Sequence, residues 1–280
     1  MEALGAALFL AALAGFLSVV LVVVARKFAV EVNPLVAEVE EALPQYNCGA
    51  CGFPGCSGFA GYLVETRSPD AKCTPGGPEL QKRLAAILGM DVGESTPTVA
   101  HVFCRGTDRE ALNEGEYFGI RDCVAADLVD SGTKVCPFGC LGLGSCAVVC
   151  QFDAIRMEEG VAVIIEEKCV ACGQCVKACP RGLISMIAQG ERVAVECRTR
   201  DKGAQVKKYC KVGCITCQLC VKACPEGAIR LDGDFIVVDE SKCTRCGACI
   251  EKCPQSTIHP LHWVFTPAKV PETTGEEASS

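Results

Sequence analysis

Nine cysteines recur along this chain at one constant offset of 74 residues. Cys123, Cys136, Cys140, Cys146, Cys150, Cys169, Cys172, Cys175 and Cys179 are matched by Cys197, Cys210, Cys214, Cys220, Cys224, Cys243, Cys246, Cys249 and Cys253. The intervening text agrees, since FDAIRMEEGVAVIIEEKCVACGQCVKACP aligns with EGAIRLDGDFIVVDESKCTRCGACIEKCP. Two copies of one module therefore follow each other. In all, 24 of 280 residues are cysteine, while aromatic residues make up 6% and include a single Trp. A conventional large core cannot carry such a chain. The thiols must cross-link it, either as disulfides in an oxidising compartment or as metal ligands in a reducing one.

The N-terminus decides between those compartments. Ala3 to Ala25 is a run of 23 residues without a charge, about 35 Å long as a helix and enough to span a bilayer. Arg26 and Lys27 follow at once, whereas only Glu2 precedes it. The positive flank thus puts the bulk of the chain on the cytoplasmic side of the cell's inner membrane, as a single-pass protein. A cleavable signal would carry its positive charge before the apolar stretch and a small-residue cleavage site after it. In the cytoplasm structural disulfides are rare, so the thiols read as ligands.

Their spacing says what they bind. Cys214, Cys217, Cys220 and Cys224 run x2, x2, x3 with Pro225 next, and Cys243, Cys246, Cys249 and Cys253 repeat this with Pro254. That is the run of bacterial two-cluster ferredoxins, in which three thiols hold one [4Fe-4S] cube and the fourth crosses to the other. Cys214, Cys217, Cys220 and Cys253 are thus expected to share one cluster, and Cys224, Cys243, Cys246 and Cys249 another. FIVVD and VAVIIE, each after a Gly-containing turn, read as hairpin strands covering the clusters.

The first copy departs from this pattern. Leu143 stands at the position of Cys217, and Gln151 stands where a proline would. Cys136 is the nearest replacement in sequence, which gives Cys136, Cys140, Cys146 and Cys179 for one cluster and Cys150, Cys169, Cys172 and Cys175 for its mate; without Cys136 the first of these would hold three irons. Upstream, Cys48, Cys51, Cys56 and Cys73 lie in YNCGACGFPGCSGF and KCTPGG, with glycines that let the backbone wrap a cube. Four thiols also suit zinc, which that motif alone leaves open. Five cubes use twenty cysteines. Cys104, Cys123, Cys197 and Cys210 remain, as many as a sixth cluster would need, or as buried free thiols.

Such an array conducts electrons and has no complete active site of its own. No glycine-rich dinucleotide fingerprint, phosphate loop or flavin signature is present, so no flavin or NAD is expected on this chain. The net charge of −7 and the scarcity of aromatics argue against nucleic-acid binding. One cationic stretch, Arg198, Arg200, Lys202, Lys207 and Lys208, could dock an acidic electron donor, or could simply be solvated.

The anchor, the YNCGACGFPGC motif, the DCVAA and GCLGLGSC segments and the doubled ferredoxin run together resemble the B subunits of Rnf complexes, the ion-translocating ferredoxin:NAD+ oxidoreductases. The resemblance spans about residues 1 to 262. It implies a hetero-oligomeric membrane complex in which reduced ferredoxin feeds this subunit, other subunits carry electrons through flavins to NAD+, and Na+ or H+ is moved. A membrane-tethered polyferredoxin serving a hydrogenase or a regulator-reducing complex is the rival within the same chemistry. A zinc-filled interaction scaffold is the rival outside it.

The expected architecture is α+β. Residues 1–27 form a transmembrane anchor, 28–43 an amphipathic connector, and 44–90 a small [4Fe-4S] domain. A linker follows at 91–101, then ferredoxin modules at 102–191 and 192–265, and a disordered tail at 266–280.

Overall fold

The computed structural model describes residues 2–27, 33–89, 97–130, 132–190 and 193–260. The chain opens with helix α1 (Glu2–Lys27), whose stretch Phe9–Lys27 has a mean hydropathy of 2.4 and no residue buried against the rest of the molecule. Leu, Val, Ala and Phe side chains face outward around it, with Phe9, Phe16 and Leu21 each more than three-fifths exposed. A helix apolar on every side has no soluble surface to offer and is long enough to cross a membrane.

The first cluster domain is a three-helix unit. Helix α2 (Pro34–Ala42) starts where the Asn33 side chain accepts from the Leu35 amide, with Pro34 at the position where a missing N–H costs nothing. Its Val39 is fully buried while Glu38 and Glu41 face solvent, as the amphipathic reading of the connector requires. Val30, Glu31 and Val32 lie outside the described residues. Helices α3 (Cys56–Thr66) and α4 (Gly77–Leu88) supply Phe59, Leu63, Leu84 and Leu88 to the same core, and α3 ends at Arg67 in a left-handed cap.

The two modules that follow share one plan. In the first, β1 (Thr98–Val102) pairs antiparallel with β4 (Ile184–Ala188), and β2 (Ile155–Glu158) forms a hairpin with β3 (Val161–Ile164). Between them lie helices α5 (Cys123–Asp130), α6 (Ser145–Val148) and α7 (Gln174–Ala178). In the second, β5 (Val193–Val195) pairs with β8 (Ile258–Pro260), β6 (Ile229–Asp232) pairs with β7 (Phe235–Val238), and helices α8 (Gly203–Tyr209), α9 (Leu219–Ala223) and α10 (Ala248–Glu251) intervene. The hairpins fall on VAVI and FIVV, the apolar runs singled out in the sequence. Each module's core is part hydrocarbon and part thiol. Cys146 and Cys175 pack with Ala100, Val102, Val161 and Ile184, and Cys220 and Cys249 pack with Val193, Val195, Ile229 and Ile258.

Two expectations change. Residues 98–101, placed in the linker, are strand: Val99 and Ala100 bury in the sheet while Thr98 and His101 stay half-exposed, which Gly, Ser and Pro nearby had masked. The repeat register also shifts before Cys136. Val102 pairs with Ile184 and Val195 with Ile258, so although Ile184 and Ile258 are 74 residues apart, Val102 and Val195 are 93 apart. Cys104 and Cys197, each two residues beyond its strand, are therefore the true equivalents. The first copy carries 19 more residues between Cys104 and Cys136, and Cys123, on α5, has no cysteine counterpart in the second. Its match to Cys197 at offset 74 is coincidental. The 266–280 tail lies outside the described residues.

Candidate metal centre

The thiols gather in sets around recesses. In the first domain Cys48, Cys51, Cys56 and Cys73 lie close enough that the Cys73 thiol, pushed up to about 11 chiefly by burial, also feels the other three. Gly49 and Gly52 take positive φ of 68° and 88° to turn the chain around this space. A Cβ on Gly55 would stand 2.9 Å from Asn47 Oδ1, the atom that accepts from the Cys56 amide at the start of α3.

Cys150, Cys169, Cys172 and Cys175 line one recess of the first module, and Cys214, Cys217, Cys220 and Cys253 one of the second. Burial, followed by the neighbouring thiols of each set, pushes Cys175 and Cys220 up to about 11. Cys249 feels Cys243 and Cys246 and shares its core with Cys224. Each of these sets brings together three thiols of one run and one from the far end of the other.

A common local structure produces the pattern. In all four loops the residue two beyond the first cysteine is left-handed: Gly142, Ala171, Thr216 and Arg245, at φ of 74°, 57°, 51° and 58°. Four beyond it, Gly144, Gly173, Gln218 and Gly247 are left-handed too and open the helices α6, α7, α9 and α10. The last thiol of each run, Cys150, Cys179, Cys224 and Cys253, accepts the amide of the fourth residue on, at 3.3–3.4 Å. N–H groups aimed at sulfur stabilise the ligating thiolate form.

The loop containing Leu143 keeps this shape but not its thiol. The recess holding Cys140, Cys146 and Cys179 is completed by Cys123, not by Cys136. Burial pushes Cys146 up to about 12, with Cys140, Cys123 and Cys179 the leading thiol neighbours. Cys123 arrives from outside the ferredoxin run, at the first turn of α5. That helix is pinned by Asp122 and Ser145, and by Arg181, whose Nε lies 2.9 Å from Asp127. Cys136 lines a separate recess, shared with Cys104, Cys197 and Cys210. The structure thus brings Cys123, and not the cysteine nearest in sequence, to the Cys140, Cys146 and Cys179 recess, a placement the four-residue spacing from Cys136 to Cys140 could not convey.

Among the described residues no three His, Cys, Asp or Glu side chains draw close enough to share one ion. Four thiols around one recess can hold either one zinc or an iron–sulfur core with one thiol per metal.

The sets also adjoin one another. Gln174, next to Cys175, donates from Nε2 to the Cys48 carbonyl at 2.6 Å, and Cys172 feels Cys48. Tyr46 and Phe152 meet edge-on at 5.0 Å beside that contact. Of the cationic stretch, Arg198 is packed 4.2 Å over the Phe103 ring and is not free to dock a donor, while Arg200, Lys202, Lys207 and Lys208 are exposed. His101 lies 3.2 Å from Glu196, a structural contact.

Recesses ringed by cysteines and repeated on ferredoxin hairpins define an iron–sulfur electron-transfer protein. Comparison with known families agrees: residues 43–75 match the family described as "Putative Fe-S cluster", 162–185 a 4Fe-4S binding domain, and 213–257 a 4Fe-4S dicluster domain. Three relatives align over most of the chain. The B subunit of the Na(+)-translocating ferredoxin:NAD(+) oxidoreductase complex of Acetobacterium woodii is 41% identical over 80% of this chain and 67% of its own length. That of the ion-translocating oxidoreductase complex of Methanosarcina acetivorans is 42% identical over 84% and 89%. That of the proton-translocating ferredoxin:NAD(+) oxidoreductase complex of Clostridium ljungdahlii is 42% identical over 80% of each. The chain belongs to the family of Rnf complex B subunits.

Proposed function

We propose that this chain is the membrane-anchored electron wire of an ion-translocating ferredoxin:NAD+ oxidoreductase complex. It takes electrons from reduced ferredoxin and passes them to the other subunits of the complex. Helix α1 is its anchor, and Arg26 and Lys27 favour a cytoplasmic position for everything after it. Residues 44–90 carry one [4Fe-4S] cluster on Cys48, Cys51, Cys56 and Cys73, followed by two ferredoxin modules. The first module holds clusters on Cys150, Cys169, Cys172 and Cys175 and on Cys123, Cys140, Cys146 and Cys179. The second holds clusters on Cys214, Cys217, Cys220 and Cys253 and on Cys224, Cys243, Cys246 and Cys249. Each such cluster supplies one-electron chemistry with little rearrangement; the chain's part is to bury it, direct amides at its sulfurs and set neighbours side by side.

The observation that carries this reading is the contact between the Cys48 set and the Cys172 set, because abutting thiol sets make a path, whereas isolated ones make only cross-links. Partner subunits and the ferredoxin donor come from the relatives' names and from the exposed cations of α8. The test is spectroscopic. Anaerobically prepared protein should be brown and bleach when dithionite is added; a colourless, zinc-containing protein refutes the reading.

A further inference from the structure

We propose that Cys104, Cys136, Cys197 and Cys210 ligate a sixth [4Fe-4S] cluster, seated at the seam between the two ferredoxin modules. This rests on the reading that the other five sets hold clusters, and adds a site to it. Counting in sequence left a different quartet, with Cys123 in and Cys136 out. The structure exchanges these two.

The recess is built like the others. Its cavity volume is about 20 Å3, the same as for three of the sets above. All four cysteines line it. A Cβ placed on Gly106 would stand 3.8 Å from the Cys104 sulfur and 3.6 Å from that of Cys210, so these sulfurs lie no more than 7.4 Å apart, the sum of the two. Cys104 and Cys197 face each other in an antiparallel bridge. Two further glycines let the wall close in: a Cβ on Gly213 would meet Val206 Cγ1 at 2.5 Å, and one on Gly139 would stand 3.6 Å from the Cys136 sulfur.

The recess is also two-fold symmetric, with two thiols from each module. Cys104 is the equivalent of Cys197 by strand register, and Cys136 of Cys210 by the 74-residue repeat. Their backbone surroundings follow the same symmetry. The Cys140 amide donates to the Cys104 sulfur at 3.4 Å, and the backbone of Cys214 lies beside the Cys197 sulfur, as those of Phe138 and Val212 lie beside Cys136 and Cys210. Each sulfur thus has a backbone amide next to it, as cluster ligands do. Four merely buried thiols would pack as small hydrophobes and need no such amides. Lys134, 5% exposed, and Arg105 and Arg198 line the space, a charge balance suited to a cube with four thiolates, whose net charge is about −2. The one lining carboxylate, Glu196, is matched by Arg105 at 3.4 Å.

Position gives the site its role. Cys140 and Cys214, whose backbones lie beside the Cys104 and Cys197 sulfurs, belong to the flanking sets of the first and second modules. A cluster here joins the two modules into one path. An electron leaving one flanking cluster reduces this one, and its departure to the other restores it.

The test is iron and acid-labile sulfide per chain on the anaerobically prepared full-length protein, for the wild type, Cys210→Ala and Cys197→Ser. The proposal predicts about 24 irons in the wild type and fewer in either variant, about 20 where the cluster is lost whole and about 23 where three irons stay, the other clusters being kept. A wild type near 20 irons whose count neither variant lowers overturns it and leaves the five-cluster reading standing. So does a Cys104–Cys197 disulfide found by mass spectrometry in that 20-iron protein. Protein free of iron would overturn both.

Discussion

The amide of Cys123 donates to Ser145 Oγ across 2.6 Å, and Ser145 in turn donates to Asp122 at 2.8 Å. Ser145 is buried and opens α6, one residue before Cys146. One hydroxyl therefore fixes the distance between a thiol that comes from outside the ferredoxin run and one that belongs to it. Ser145→Ala removes that link and leaves the Cys123 amide short of a partner, at a cost of about 1–3 kcal/mol. The expected result is a cluster that sheds one iron on mild oxidation, seen as a three-iron signal by electron paramagnetic resonance. An oxidised variant indistinguishable from wild type would contradict this role for Ser145.

Replacing Cys123 and Cys136 separately discriminates the ligand that the recess supplies from the one nearest in sequence. In a Cys210→Ala background, where the seam site already lacks a ligand, Cys123→Ala should add the three-iron signal of the Cys140, Cys146 and Cys179 set, and Cys136→Ala should add none. The opposite outcome would restore Cys136 to that set.

Arg181 is 5% exposed, pairs with Asp127 and donates to the carbonyls of Cys136 and Gly139. It ties α5 to the loop before Cys140. Arg181→Met leaves the Asp127 carboxylate and two part-buried carbonyls without this donor, and should destabilise the fold by about 1–3 kcal/mol. Anaerobic chemical denaturation measures this; a change under about 0.5 kcal/mol would show that the network is dispensable.

Charge reversal on α8 tests where a donor lands. Lys207→Glu with Lys208→Glu changes two exposed side chains and no thiol. Iron content should stay at the wild-type value, while KM for reduced ferredoxin rises several-fold and loses much of its dependence on salt, as rim charges act on association. An unchanged KM and salt slope would remove α8 from the docking surface.

Deleting residues 1–27 tests the anchor. The shortened chain should leave the membrane fraction with its iron count intact, because α1 buries nothing against the cluster domains. Continued sedimentation with membranes in the absence of other subunits would contradict this.

Much of this architecture can be read from residue order. The x2, x2, x3 runs specify the loops because a left-handed residue two beyond each first cysteine is part of wrapping a cube, and the 74-residue repeat carries the hairpins with it. Two relationships escape because they are set by space and not by spacing. Cys123 fills the gap at Leu143 from a helix some twenty residues upstream, and only the docking of α5 through Ser145 and Arg181 brings it there. Cys104 matches Cys197 across an insertion that breaks the constant offset. A signal was available: Val102, Cys104, Arg105 and Asp108 recur in order at Val195, Cys197, Arg198 and Asp201, once the offset is allowed to change to 93.

The central claim is conduction from a soluble carrier into this chain. The direct measurement mixes iron-replete, full-length protein with reduced ferredoxin under strict anaerobiosis, and follows both visible spectra. The account predicts that ferredoxin reoxidises as the protein's clusters bleach, one electron gained for each one lost. Ferredoxin that stays reduced beside fully loaded, oxidised protein would contradict it.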